Sequence, residues 1–296
     1  MRRSRLPGPP RVIVAGMASF RHAGHRIAYT EYASGARTVV LIHGLLLSQR
    51  MHEPLARALA ERGNRVITMD LLGHGRSDRP AEPAGYSTTL FAEQVVALLH
   101  HLAVDEAVIV GTSLGANVAL EVGHLAPERV RGMVIEMPVL DSALIGCLVA
   151  FGPLMVGLSV AQPLYRMLAL AARAVPGRVL PFYGDVVLDT VRQDPGSSRA
   201  VLQGLFFGRT APSPAQRRAM LAPTLVIGHR RDPVHPLTDA GMLADELPNG
   251  RLLEANSFVE LRLTPARLTG EIAAFLDACW KPARRGGRRA GHGAAS

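Results

Sequence analysis

Val108-Ile109-Val110-Gly111-Thr112-Ser113-Leu114-Gly115-Ala116-Asn117-Val118-Ala119-Leu120 is the stretch on which the reading of this chain turns. It opens as a short β-branched apolar run, passes through Gly-x-Ser-x-Gly, and continues as the start of an apolar helix. A serine squeezed between glycines where a strand turns sharply into a helix sits on a strained backbone and presents its hydroxyl above the sheet. Gly111 and Gly115 are expected to be small because strand and helix nearly collide there. The helix N-terminus then offers free N–H groups and the positive end of its dipole to any anion formed at the Ser113 oxygen.

Outward from this turn, strands and helices alternate. Strands are expected at His25–Tyr32, Thr38–Ile42, 65–70, 107–110, Val130–Glu136, 224–228 and 251–254, with a tail entering a first strand near 12–20. Helices are expected at 54–61, 89–102, from the turn to about 123, 237–247 and 265–280. Thr38–Ile42 is an almost unbroken apolar run, as in a strand buried on both faces. Leu90, Val95, Leu98, Leu99 and Leu102 recur at helical spacing instead. This alternation argues for an α/β fold with a mostly parallel sheet flanked by helices.

The alternation stops between about 138 and 215. Residues 142–160 carry no charge, and roughly 20 apolar residues would suffice to span a bilayer. Gly146, Gly152, Pro153 and Gly157 interrupt the run, and it lies between two parts of one sheet. We therefore expect a helical cap at 138–215 whose apolar side chains roof a pocket or, as the lesser alternative, meet a membrane surface, without stable membrane insertion. The core would comprise 12–137 and 216–280.

The net charge of +9 suggests nucleic acid until it is mapped. Residues 1–11 carry four arginines and residues 281–296 five basic side chains, neither with an acid, and these nine account for the whole excess. The body between is neutral, so we expect two solvated, disordered basic tails and no nucleic-acid partner. Cys147 and Cys279 are the only cysteines, which excludes a disulfide framework or a cysteine metal cluster and suits a cytoplasmic protein. Gly73-His74-Gly75 follows a strand but lacks dinucleotide-binding spacing, so no cofactor and no metal are expected.

Four blocks in this order resemble the α/β-hydrolase superfamily: Val39-Val40-Leu41-Ile42-His43-Gly44, Asp70 through Asp78, Gly111-Thr112-Ser113-Leu114-Gly115, and Leu225-Val226-Ile227-Gly228 through Asp232-Pro233. The resemblance implies an eight-stranded sheet with a cap inserted after the sixth strand. It implies Ser113 as nucleophile, backbone N–H groups of Leu45 and Leu114 as an oxyanion hole, and Asp232 as the acid.

The histidine that the resemblance implies after the last strand is missing. Its place is taken by Ser257, and no histidine occurs between His235 and His292. A serine hydroxyl needs a neighbouring base near neutral pH, and Ser257 cannot be one. Three readings stay open. In the first, another histidine serves: His235, three residues beyond Asp232, ahead of His43, with His52, His74 and His229 as loop or surface histidines. Closeness in sequence to Asp232 counts against triad geometry for His235. In the second, Glu136 or Glu260 does acid/base work of a lyase or cyclase kind, or Glu136 is the triad acid. In the third, the protein binds an apolar ligand without turnover. The leading expectation is hydrolysis of an ester or related acyl bond in a small lipophilic substrate. The sequence is silent on oligomeric state.

Overall fold

The structure, a computed structural model, describes residues 14–281. The two basic tails lie outside the described residues, apart from Lys281. The chain opens with the hairpin β1 (Val14–His22) and β2 (His25–Tyr32), then β3 (Thr38–Ile42), α1 (Glu53–Ala60), β4 (Arg65–Met69) and α2 (Thr88–His101). The central unit is β5 (Ala107–Thr112), α3 (Leu114–Leu125) and β6 (Val130–Glu136). Four helices follow: α4 (Ala143–Val160), α5 (Gln162–Ala174), α6 (Phe182–Arg192) and α7 (Pro195–Phe206). The chain then runs through α8 (Pro214–Arg218), β7 (Thr224–His229), α9 (Leu237–Glu246), β8 (Gly250–Ala255), α10 (Glu260–Leu263) and α11 (Ala266–Cys279).

The strands form one eight-stranded sheet in the order β1-β2-β4-β3-β5-β6-β7-β8. β2 pairs antiparallel with β1 and β4, and every other pairing is parallel. Successive residues of a strand point to opposite faces, and both faces are covered. Val40, Ile42, Ile109 and Ile135 pack on the side of α2, α3 and α9. Val39, Leu41, Val108, Val110 and Val134 pack on the side of α1 and α11. This is why β3 and β5 read as unbroken apolar runs. Burying one such side chain contributes about 1.5–3 kcal/mol. The parallel strands end at one edge of the sheet, where the loops after β3, β5, β6 and β7 gather.

The helical stretch between β6 and β7 is pinned at both roots by α3. Asn117 accepts the Val139 N–H at 3.0 Å and donates to the carbonyls of Val139 at 2.7 Å and Thr210 at 2.9 Å. Buried Asp239 of α9 accepts the N–H groups of Leu140 and Ala143, at 3.0 and 2.9 Å, and of Ser142 at 3.2 Å. These bonds satisfy donors that the first turn of α4 leaves open. Helix α8 straddles the boundary drawn at 215, and α10 is absent from the sequence reading.

One expectation about α4 changes. Phe151, Leu154 and Met155 do pack inward against the core, but most of the helix surface does not. Ile145, Val149 and Val160 are 73, 70 and 78% exposed. The helix is apolar all round and meets protein on one side only.

Candidate active site

Ser113 sits between β5 and α3 with φ 54° and ψ −115°. The region is one that residues with a Cβ rarely occupy, and holding it costs about 1–3 kcal/mol. The flanking glycines explain why the turn closes. A Cβ added at Gly111 would stand 1.9 Å from the Gly115 carbonyl oxygen, and one at Gly115 would stand 2.2 Å from that of Ile42. Positive φ also occurs at Leu46, Met137 and Arg231. These follow β3, β6 and β7 and lie at the same sheet edge as Ser113, while Ala23, Ala33 and Ala103 also take positive φ in turns away from the site.

His235 comes to Ser113 from the loop after β7. Its Nε2 lies 2.9 Å from Ser113 Oγ, and its Nδ1 lies 3.0 Å from Asp232 Oδ2. The second carboxylate oxygen holds the turn itself: Asp232 Oδ1 accepts the N–H groups of Val234 at 2.8 Å and His235 at 2.9 Å. One oxygen thus fixes the backbone that carries the histidine, and the other fixes the ring. A proton on Nδ1 bonded to Asp232 leaves Nε2 as an acceptor for the serine hydroxyl. Burial opposes ionisation of Asp232, but the hydrogen bonds from His235 and Val234 outweigh it and hold the carboxyl below its usual range. Helix α4 lies against this loop at Gly146, where an added Cβ would stand 3.2 Å from the Pro233 oxygen and 3.1 Å from that of Val234.

The loop after β3 lies beside the serine. A Cβ at Gly44 would meet Ser113 Cβ at 3.8 Å and the Thr112 oxygen at 3.6 Å, so the Leu45 backbone follows directly from a residue in contact with the turn. Leu114 is the first residue of α3, and its N–H has no partner within the helix by position. The amide of Gln193, from the helical insertion, donates to the Leu46 carbonyl.

His43 is otherwise engaged. Its Nε2 accepts the Leu71 N–H at 3.1 Å, which leaves Nδ1 to donate to the Gly44 carbonyl at 2.8 Å. Burial lowers its pKa and favours the neutral ring. The same cause lowers His74, and it takes His52, bonded to the Ile42 carbonyl, down to about 3. None of the three is in hydrogen-bond contact with Ser113.

Glu136 and Ser257 belong to a separate buried network. Glu136 Oε2 accepts from Thr112 Oγ1 at 2.6 Å and from Arg262 at 2.7 Å. Its Oε1 lies 3.3 Å from His229 Nε2, an ion-pair contact off the line of a hydrogen bond. His229 Nδ1 bonds the Ser257 carbonyl at 2.8 Å. Burial would raise the Glu136 pKa, yet Arg262 and His229 hold the carboxyl far below its usual range. Burial would lower His229, yet Glu136 raises it. The two shifts agree on a charged pair. Glu260 is held by Arg267 at 2.8 Å. Sequence reading missed Arg262, whose partner Glu136 lies 126 residues away, a separation that leaves no local pattern.

Two open clefts, of about 680 and 650 Å³, lie beside β1 and the 70–79 loop, and neither is lined by Ser113, His235 or Asp232. Among the described residues no three His, Cys, Asp or Glu side chains are grouped closely enough to hold a metal ion.

Comparison with known proteins agrees with the fold. A family model described as alpha/beta hydrolase fold matches residues 37–257. An uncharacterized protein of Mycobacterium tuberculosis is 28% identical over 93% of this chain and 85% of its own length. A haloalkane dehalogenase of Mycolicibacterium paratuberculosis is 30% identical, over 36% of this chain and 35% of that protein. A solved structure titled as Est816, an N-acyl homoserine lactone degrading enzyme, superposes with a TM-score of 0.67 at 25% identity, covering 87% of this chain and all of the other.

Proposed function

We propose that this chain, which belongs to the α/β-hydrolase fold family, hydrolyses an ester or related acyl bond in a small lipophilic substrate. Ser113 is the nucleophile, His235 the base and Asp232 the acid that orients it. The observation that carries this reading is the run of contacts Ser113–His235–Asp232, at 2.9 and 3.0 Å. His235 Nε2 takes the hydroxyl proton as Ser113 Oγ attacks the acyl carbon. The Leu114 N–H, with that of Leu45, receives the oxygen that gains charge, aided by the α3 dipole. His235 returns the proton to the leaving oxygen, and water then cleaves the acyl-enzyme by the same route in reverse order.

A lipophilic substrate is supported by the inner side of the α4 cap. Phe151, Leu154 and Met155 face the core there, and Gly146 touches the His235 loop. The hydrolase names among the relatives support the reaction class. The carboxylates of the lyase-type alternative are engaged, Glu136 by Arg262 and Glu260 by Arg267. No observation favours silent binding.

The test is turnover of a p-nitrophenyl ester series and a lactone series by wild type and Ser113→Ala. We expect hydrolysis that Ser113→Ala lowers by about a thousandfold or more. Undiminished turnover in that variant, or none in folded wild type on either series, would contradict the proposal.

A further inference from the structure

The outer surface of the helical insertion is unusual for a chain whose body is otherwise neutral. On α4, Ile145, Val149, Val156 and Val160 recur at helical spacing, so they share one side, and all are more than half exposed. Exposed apolar side chains continue on α5 at Leu164, Met167, Leu168 and Leu170. Scattered surface leucines need no explanation, but a contiguous apolar face does.

The charge of this region is one-sided. Between Ser142 and Gly184 the only charged residues are Arg166, Arg173 and Arg178; the acids Asp141 and Asp185 bound this segment, and Asp185 is already paired with Arg50 and Arg192. Arg166 and Arg173 are exposed and lie seven residues apart, on one side of α5. An apolar face set among arginines matches the boundary between lipid tails and anionic headgroups. A second copy of the chain matches it poorly, because a two-fold interface would set basic patch against basic patch with no acid in this segment to answer it.

We infer that the outer face of α4 and α5 docks on an anionic lipid surface, lying on the bilayer rather than crossing it. By length and composition alone the eighteen residues of α4 would suffice to cross a bilayer, so what separates lying on from crossing is where the ends of the insertion are held. The flanking strands β6 and β7 are hydrogen-bonded neighbours in one sheet, so both ends of the insertion return to the same side. Docking would hold the loop of His235, which α4 touches at Gly146, close to the lipid.

The test is co-sedimentation of the full chain with phosphatidylcholine vesicles, with and without phosphatidylglycerol. It needs no turnover and is repeated with Ser113→Ala, so its outcome is separate from that of the proposed hydrolysis. We expect partition into the mixed vesicles in preference to the neutral ones. Val149→Glu with Val156→Glu should weaken it about tenfold or more, and Arg166→Gln about fivefold. Unchanged melting temperature would show that these exposed substitutions leave the fold intact. Absence of partition, equal partition into both vesicles, or indifference to the glutamates would overturn the inference. A concentration-dependent dimer dissolved by the same glutamates, without vesicle binding, would assign the face to a second copy instead.

Discussion

His235 Nδ1 lies 3.0 Å from Asp232 Oδ2 although the two residues are only three apart in the chain. The turn between them makes this contact and the one to Ser113 compatible. The backbone N–H groups of Val234 and His235 bond one carboxylate oxygen, leaving the other free for the ring. Arg231, with φ 59°, begins the reversal.

Asp232→Asn separates the two jobs of that side chain. Asparagine keeps an oxygen for the Val234 and His235 N–H groups, so the loop should hold its shape. Its amide donates to His235 Nδ1 and leaves Nε2 protonated, the wrong tautomer for accepting the Ser113 proton. We expect kcat to fall about a thousandfold or more with little change in melting temperature. Steady-state kinetics beside thermal unfolding checks this, and a large loss of stability would show that the loop depends on the charge.

At the turn itself, Ser113→Gly and Ser113→Ala should both be inactive yet differ in stability. Glycine occupies φ 54°, ψ −115° without strain. It gives back part of that gain as unfolded-state entropy, so we expect it to exceed the alanine variant by about 1 kcal/mol. Urea unfolding of the pair measures the difference, and a more stable alanine variant would contradict the strain.

Gly111→Ala should be far more damaging than an ordinary surface change. The new Cβ would overlap the Gly115 carbonyl, at 1.9 Å, and neither backbone can yield without moving the turn. A loss of about 3 kcal/mol or failure to fold is expected. Unfolding midpoints against wild type decide it.

Glu136 and His229 give stability a pH signature. Glu136 is depressed, so its contribution is present above the ordinary carboxyl value of 4.5 and is lost as pH falls through the depressed one. His229 is raised, so its contribution is complete below the ordinary imidazole value of 6.5 and is lost as pH climbs through the raised one. Both overlap between 4.5 and 6.5. The melting-temperature gap between wild type and His229→Gln should be widest there and narrow at alkaline pH. A gap that widens with rising pH would refute the pairing.

The sheet was legible because its strands carry their burial in the sequence. β3 and β6 appear at their observed bounds, and the strands after α1 and α8 within a residue or two, since strands covered on both faces must be apolar throughout. Ser113 was legible for a related reason: the glycines around it answer a backbone collision that local sequence records. His235 was legible as the leading candidate base, but its contact with Asp232 was not, because closeness in sequence counted against that geometry and the contact depends on a positive φ at Arg231 and on two backbone donors, neither of which leaves a periodic trace. Glu136 and Arg262 were hidden by distance along the chain. The apolar run of α4 was plain, but which of its sides would meet protein depended on packing that composition does not fix.

The central claim is that His235 activates Ser113, and the rate at which a fluorophosphonate labels Ser113 tests it most directly. Wild type should be labelled at Ser113, located by peptide mapping. In folded His235→Ala the rate should fall about a hundredfold or more, while His43→Ala and His74→Ala, if folded, should retain most of it. An unchanged labelling rate in His235→Ala would contradict the account.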